Sequence, residues 1–271
     1  MLLSDADTAA HLEAAQARSL LAQGRAARTL HPAALITTLS VPGGAALFTR
    51  AAWTRKLNHA TTITLNPDTL RTLQEAAARH GVPLDVDVPT HAPAGTLTVL
   101  ADAGFRMVAA QHVYAADLRT WTAPDTPRHA QAVAVPPDLH AAFVDASVAG
   151  FHAQPNPRDP DLLALLARIA LTRVDVTPFA VLDGARVLGT AALAHLGDVA
   201  HLHLGSTTPT ARARGVQTAL LHARLTHARA AGATLAVMSA RPGTASARNA
   251  ERAGLHLAYA RLTWRAGTPR P

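Results

Sequence analysis

The spacing of apolar and polar positions along the chain changes often enough to mark a succession of short elements. Leu12, Ala15, Leu20 and Leu21 recur on one face of a helical period, which predicts a helix over residues 4–24 with Ser4 as its N-cap. Residues 34–41 and 45–51 read as strands around the turn Pro42-Gly43-Gly44, and residues 58–65, rich in threonine and isoleucine, as a third. Asn66-Pro67-Asp68 opens a helix that Gly81 closes. A strand over 84–88, a short helix over 94–103 and a strand over 107–118 complete this part. Residues 121–128 hold two prolines and no period. Beyond them a strand is predicted over 131–135 and helices over 137–149 and 159–173. Strands at 179–182 and 186–195 flank Asp183-Gly184, the strongest hairpin signal in the chain. Residues 199–204 alternate between two faces as a strand, and Val216, Leu220, Leu221, Leu225 and Ala228 keep helical spacing up to Gly232. A strand over 235–239, a helix over 244–253 and a strand over 257–264 end the pattern.

An internal repeat divides this succession. Leu100-Ala-Asp-Ala-Gly104-Phe-Arg-Met-Val108 and Ala250-Glu-Arg-Ala-Gly254-Leu-His-Leu-Ala258 are each a short helix, a glycine and an apolar strand. The expected organisation is a domain over residues 1–122, a linker over 123–130 and a second domain over 131–271. At 271 residues and 49% apolar content, the chain can build the cores this requires.

Composition narrows the chemistry. The chain has no cysteine, hence no disulfide framework and no thiolate nucleophile. Its apolar runs are too short to span a bilayer, and Asp5, Asp7 and Glu13 among alanines do not resemble a signal peptide, so a cytoplasmic protein is expected. The net charge of +7 comes from scattered arginines with little aromatic interleaving, so nucleic acid is not an expected partner.

The chemistry centres on Arg212-x-x-Gly215-x-Gln217, between the strand at 199–204 and the helix from 216. A loop that enters a helix leaves backbone N–H groups unpaired, and with the helix dipole they suit a phosphate. Gly215 lets an anion approach the backbone, and Arg212 and Arg214 add charge at the rim. In this strand–loop–helix setting the sequence resembles the GCN5-related N-acetyltransferase (GNAT) superfamily. That family binds the acetyl-coenzyme A pyrophosphate on a (Gln/Arg)-x-x-Gly-x-(Gly/Ala) loop. Arg212 and Gly215 match it, whereas Gln217 replaces the small residue.

The resemblance implies cofactor contacts at Arg212, Ala213, Arg214, Gly215, Val216, Gln217 and Thr218. It also implies a pantetheine arm running beside Ser206, Thr207 and Thr208, and a further contact at Asn249, with Arg248 as a neighbouring candidate. The implied fold is α/β of the α+β type: two GNAT-like domains, each a mixed, mostly antiparallel twisted sheet flanked by helices. The first half departs from the family pattern, since Leu65-Asn-Pro-Asp-Thr-Leu-Arg71 has no phosphate loop and Asp68 would repel a pyrophosphate. One acetyl-CoA per chain is therefore expected, in the second half.

An ammonium cannot attack a thioester until a base takes its proton. His201 and His203 stand two apart on a strand, so they share a face, and an ordinary histidine titrates near neutral pH. The pair also fits inert strand histidines, or half of a metal site, but no acidic or histidine cluster completes the latter, and no metal is expected. The run Ala200-His-Leu-His203 resembles the arylalkylamine N-acetyltransferase branch, in which such a pair relays the amine proton through water. Asp198 reads as a turn residue, and the three glutamates, Glu13, Glu75 and Glu251, lie off this strand. Ala250 holds the position of the family's tyrosine acid, which leaves Tyr259 or water as the proton source for the thiolate. The acceptor site is expected from the loop at 151–158. The expected activity is acetyl-CoA-dependent N-acyl transfer to a small-molecule, peptide or protein amine; the alternative is a non-catalytic acyl-CoA sensor.

Overall fold

The computed structural model describes residues 5–123, 130–154 and 157–266. Ser4, most of the expected linker, and Pro155 and Asn156 of the expected acceptor loop lie outside the described residues. The described residues form eleven strands and seven α-helices. They form two compact units that are not consecutive stretches of sequence. One comprises residues 114–239 and 243–256; the other comprises the chain up to 113 together with 240–242 and the residues from 257 on. This differs from the division into 1–122 and 131–271, and the reason is the last strand.

The unit that holds the first part of the chain begins with α1 (Ala6–Leu30), capped by Asp5, whose carboxylate accepts from the amides of Asp7 and Thr8. The helix passes through Gly24 because that glycine is a packing gap: a Cβ there would stand 2.2 Å from Thr38 Cγ2. β1 (Thr37–Val41), β2 (Gly44–Phe48) and β3 (His59–Thr62) pair antiparallel in sequence order. Asn66 caps α2 (Pro67–Arg79), and β4 (Asp85–Pro89) then lies parallel to β3. α3 (Ala94–Asp102) leads into β5 (Phe105–Asp117), within which the division between units falls. Val86 and Val88 of β4 join Phe48, Leu70, Leu73 and Leu100 in a core on one face of this sheet.

The other face explains where β11 (His256–Ala266) goes. It pairs antiparallel with β4, from Arg261↔Pro89 to Arg265↔Asp85. Asp85 and Asp87 alternate with the core valines, and Arg261, Thr263 and Arg265 alternate along β11 on the matching side. Thr263 donates to Asp87 at 2.6 Å, and Arg265 Nε meets Asp85 at 2.6 Å. Arg55 pairs with both aspartates. Glu13 of α1 takes Arg261 Nη2 at 2.6 Å and the Tyr259 hydroxyl at 2.6 Å, all three side chains being buried. Burial opposes the charge on Arg261, but Glu13 and Tyr259 outweigh it and hold the guanidinium above its ordinary range. Removing Glu13 takes the strongest counter-charge from a buried guanidinium that otherwise feels Asp87. Glu13→Ala is therefore expected to destabilise the fold by about 3–5 kcal/mol, read from the urea midpoint. A midpoint within error of wild type would show that the other interactions of Arg261, the charge of Asp87 among them, hold it without Glu13.

The second unit is built from β6 (Ala132–Ala134), α4 (His140–His152), α5 (Pro160–Thr172), β7 (Val176–Asp183), β8 (Arg186–Leu196), β9 (Val199–Thr207), α6 (Val216–Ala230), β10 (Leu235–Ala240) and α7 (Ala245–Arg252). Its strand order is β6-β7-β8-β9-β10, followed by the last residues of β5. β6 to β9 are antiparallel neighbours, and β10 runs parallel to β9. Phe143 and Val144 of α4 pack with Ala167 of α5 and Ala180 of β7. The alternate residue Phe179 meets His227 of α6 on the opposite face. Both units are thus mixed, mostly antiparallel sheets flanked by helices.

Candidate active site

The strand that bears His201, His203, Ser206 and Thr207, β9, parts from β10 midway. Their parallel pairing runs from Val199↔Leu235 to His201↔Val237, while β9 continues to Thr207 and β10 to Ala240. From Leu202 onward β9 therefore has no strand partner on the β10 side among the described residues. On its other side the register with β8 slips: Ala192 faces His203 and Thr190 faces Ser206, so one residue of β8 opposes Leu204 and Gly205 of β9. This is a β-bulge, and Leu204 lies in the left-handed region at φ 55.

The bulge sets which way each later side chain points. Ser206 turns toward α4, where its hydroxyl reaches the Ser147 carbonyl at 3.4 Å and Thr190 at 3.2 Å. Helix α4 comes close enough that a Cβ on Gly150 would stand 2.7 Å from Ser206 Oγ. Thr207 turns toward α6, where its hydroxyl accepts from Gln217 Nε2 at 2.7 Å. Thr208 gives both its N–H and its hydroxyl to the Leu188 carbonyl, each at 3.0 Å. Of the three residues expected beside pantetheine, Thr208 is thus already engaged by β8.

The loop before α6 is bent by two left-handed residues, Ala213 at φ 60 and Gly215 at φ 75. Gly215 is the N-cap, with no side-chain cap and no acidic residue in the first turn. A Cβ on Gly215 would have nothing within 4 Å. The amides of Val216, Gln217 and Thr218 thus begin a helix whose first turn carries no acidic residue, next to open space. Arg212 donates to the Ala153 carbonyl at 3.0 Å, tying the loop to the end of α4. Arg214 stands 3.9 Å from Asp183, both exposed. Gln217 does not crowd this space: its amide folds back onto β9.

His201 and His203 share the face of β9 that looks toward α4 and α5, with ring centroids 5.3 Å apart. Burial first, then the charges of His201, Arg173 and Arg224, hold His203 well below the ordinary histidine range, so it is neutral at neutral pH. Its Nε2 is buried and has no hydrogen-bond partner among the described residues. A neutral imidazole nitrogen with a free lone pair or N–H can pass a proton to or from a water. This differs from the sequence expectation of a histidine titrating near neutral pH.

The remaining expected residues are less concentrated. Asn249 is half-buried on α7 and accepts from Arg252 at 3.4 Å, while Arg248 donates to the Gly243 carbonyl. Asp198 accepts from Thr234 at the start of β9 and β10, as a turn residue does. Tyr259 lies on β11 in the other unit, its hydroxyl given to Glu13. Burial first, then the charge of Glu13, push the phenol far above its usual range. A phenol so held is a poor proton source, so the acid role expected of Tyr259 is not supported. Among the described residues, no three metal-binding side chains come together.

Sequence reasoning passed over Arg224, a buried arginine of α6 that bonds to β8 and β9. Its signal was present, since it interrupts the apolar stripe of Leu220, Leu221, Leu225 and Ala228.

No protein-family model matches the chain, and no curated protein matches it by sequence. Solved structures do. A GCN5-related N-acetyltransferase from Kribbella flavida matches at a TM-score of 0.64 and 18% identity, over 93% of this chain and 95% of that one. A tandem GNAT protein from the clavulanic acid biosynthesis pathway, solved without acetyl-CoA, matches at 0.61 and 13% identity, over 92% and 89%. A GCN5-related N-acetyltransferase from Sphaerobacter thermophilus matches at 0.58 and 16% identity, over 82% and 79%. The chain has the fold of the GCN5-related N-acetyltransferases, including that of a tandem member. No helix among the described residues is long and apolar enough to cross a membrane.

Proposed function

We propose that the protein is an acetyl-CoA-dependent N-acyltransferase that uses the second unit to move an acetyl group onto an amine. The observation that carries this reading is the parting of β9 from β10 beside an α6 N-terminus that has no side-chain cap. The pyrophosphate of acetyl-CoA would rest on the amides of residues 215–218, where Gly215 leaves room, with Arg212 and Arg214 at its rim. The pantetheine amides would pair with the free edge of β9 from Leu202 to Thr207, as an added strand does. That path brings the thioester to the bulge, one residue beyond His203.

His201 and His203 would then take the amine proton through water. A nucleophile leaving its ammonium form, a thioester held in line and a neutral imidazole nearby are what acyl transfer requires. Calorimetry with acetyl-CoA tests the binding, and release of free thiol on a panel of amines tests the chemistry. Absence of binding overturns the reading. Binding without turnover on any amine, and without hydrolysis, favours the acyl-CoA sensor.

The first unit is expected to add no second site, giving one acetyl-CoA per chain. At the start of α2 the Asn66 side-chain Oδ1 accepts from the Thr69 amide at 2.8 Å, which occupies a donor the pyrophosphate would need. Asp68 puts a carboxylate in the same turn, shared with Arg71. A titration that saturates at two equivalents, with Asp68→Arg leaving the second intact, would show that the first unit binds the ligand in another way.

A further inference from the structure

We propose that Arg224 is a positioning residue of the acyl-transfer site: its guanidinium grips the carbonyls of the β8–β9 pair just before the bulge and so fixes the strand edge along which the thioester must lie. This rests on the acetyl-transfer reading above.

Arg224 is 3% exposed, and its partners among the described residues are all carbonyl oxygens. Nε donates to Leu220 of its own helix at 2.9 Å. Nη1 is shared between Ala192 of β8 at 3.2 Å and His203 of β9 at 3.3 Å. Ala192 and His203 are the last opposed pair before the bulge. The bulge interrupts the β8–β9 ladder, and the guanidinium closes it from the α6 side. A buried cation without a carboxylate is costly, and burial alone lowers Arg224 to about 9, which leaves it charged at neutral pH.

Two neighbouring features fit the same role. A Cβ on Gly205 would stand 3.1 Å from Gln217 Oε1 and 3.8 Å from Arg224 Nη2, so the bulge accepts glycine where α6 presses on it. Gln217, where a small residue was expected, donates to Thr207 two residues further on. Helix α6 thus bonds β9 at His203 and Thr207 and leaves little room for a side chain at Gly205, while the edge of β9 away from β8 faces the gap left by β10. The charge has a second consequence. Burial is the first cause that disfavours the His203 imidazolium, followed by His201 of the same strand, Arg173 at the end of α5 and then Arg224. Arg173 is itself bonded to Asp175, at 2.8 and 3.0 Å.

The test compares Arg224→Met with Arg224→Lys, which keeps the cation but not the fork. Acetyl-CoA is titrated beside 3′-phospho-ADP, the part of the ligand that meets only the loop. Both variants are expected to bind acetyl-CoA at least roughly 10-fold more weakly and 3′-phospho-ADP within about 2-fold of wild type, a difference that calorimetry resolves. Amide exchange at Leu204 and Gly205 should quicken in both. By NMR, His203 should titrate closer to the ordinary range in Arg224→Met and remain depressed in Arg224→Lys. Equal losses for the two ligands would mean general loosening of α6 and overturn the proposal, as would wild-type acetyl-CoA affinity in Arg224→Lys, the variant more able to fold. Wild-type protein that binds no acetyl-CoA overturns the transfer reading, and the site role of Arg224 with it. Exchange at the bulge unchanged in either variant overturns the grip on β9 alone.

Discussion

Gly215→Glu is expected to abolish acetyl-CoA binding while leaving the fold in place. The space in front of Gly215 is open, so a side chain there meets no protein atom within 4 Å of its Cβ. It would instead enter the volume assigned to the pyrophosphate. Two unit charges 4 Å apart repel by about 4 kcal/mol at an effective dielectric of 20, close to a thousandfold in affinity. The backbone adds strain, since φ 75 costs a residue with a Cβ about 1–2 kcal/mol. A carboxylate at a helix N-terminus offsets part of that in the unliganded protein, so the melting temperature should move little. Gly215→Asn separates the terms, because asparagine tolerates the left-handed region and brings no charge. Calorimetry should show Gly215→Glu without measurable heat and Gly215→Asn intermediate. Unchanged affinity in Gly215→Glu would remove the loop from the binding site.

The loop was legible in the sequence because each of its signals is local. A glycine one residue before an apolar helical stripe specifies an N-cap, and the alternation of Val199 to Leu204 specifies the strand before it. The bulge was not legible. Leu204 adopts φ 55 without being glycine, asparagine or aspartate, so no residue type announced it, and the strand was expected to end where it in fact bends and continues. The exchange of β11 was hidden for a different reason. Asp85 and Asp87 alternate in one strand, and Arg261, Thr263 and Arg265 alternate in another. Period-two charge was visible in both, but nothing local joins residues 176 apart. Tyr259 followed β11 to Glu13 for the same reason. The first helix, expected over residues 4–24, continues to Leu30, because a glycine that relieves packing, as Gly24 does, and a glycine that ends a helix look alike in sequence.

The second large effect concerns the proton. His201→Ala and His203→Ala are each expected to lower kcat/KM at least 10-fold once an amine acceptor is in hand, the lower end of general acid–base effects. The double variant should lose less than the product, because both rings would serve one water relay. Acetyl-CoA affinity should stay nearly constant, since neither imidazole lies on the loop or in the first turn of α6. The pH dependence follows from His203. Its neutral form accepts the proton, and burial with three neighbouring cationic or imidazole groups keeps it neutral well below the ordinary histidine range. Activity limited by this group should therefore be level through neutral pH and fall only on the acid side, at a pH below that of an unperturbed histidine. In Arg224→Met, which removes one of those charges, the acid limb should move toward neutral pH. In the double histidine variant it should vanish. Wild-type turnover and an unchanged acid limb in the double variant would make the pair structural and place the base elsewhere.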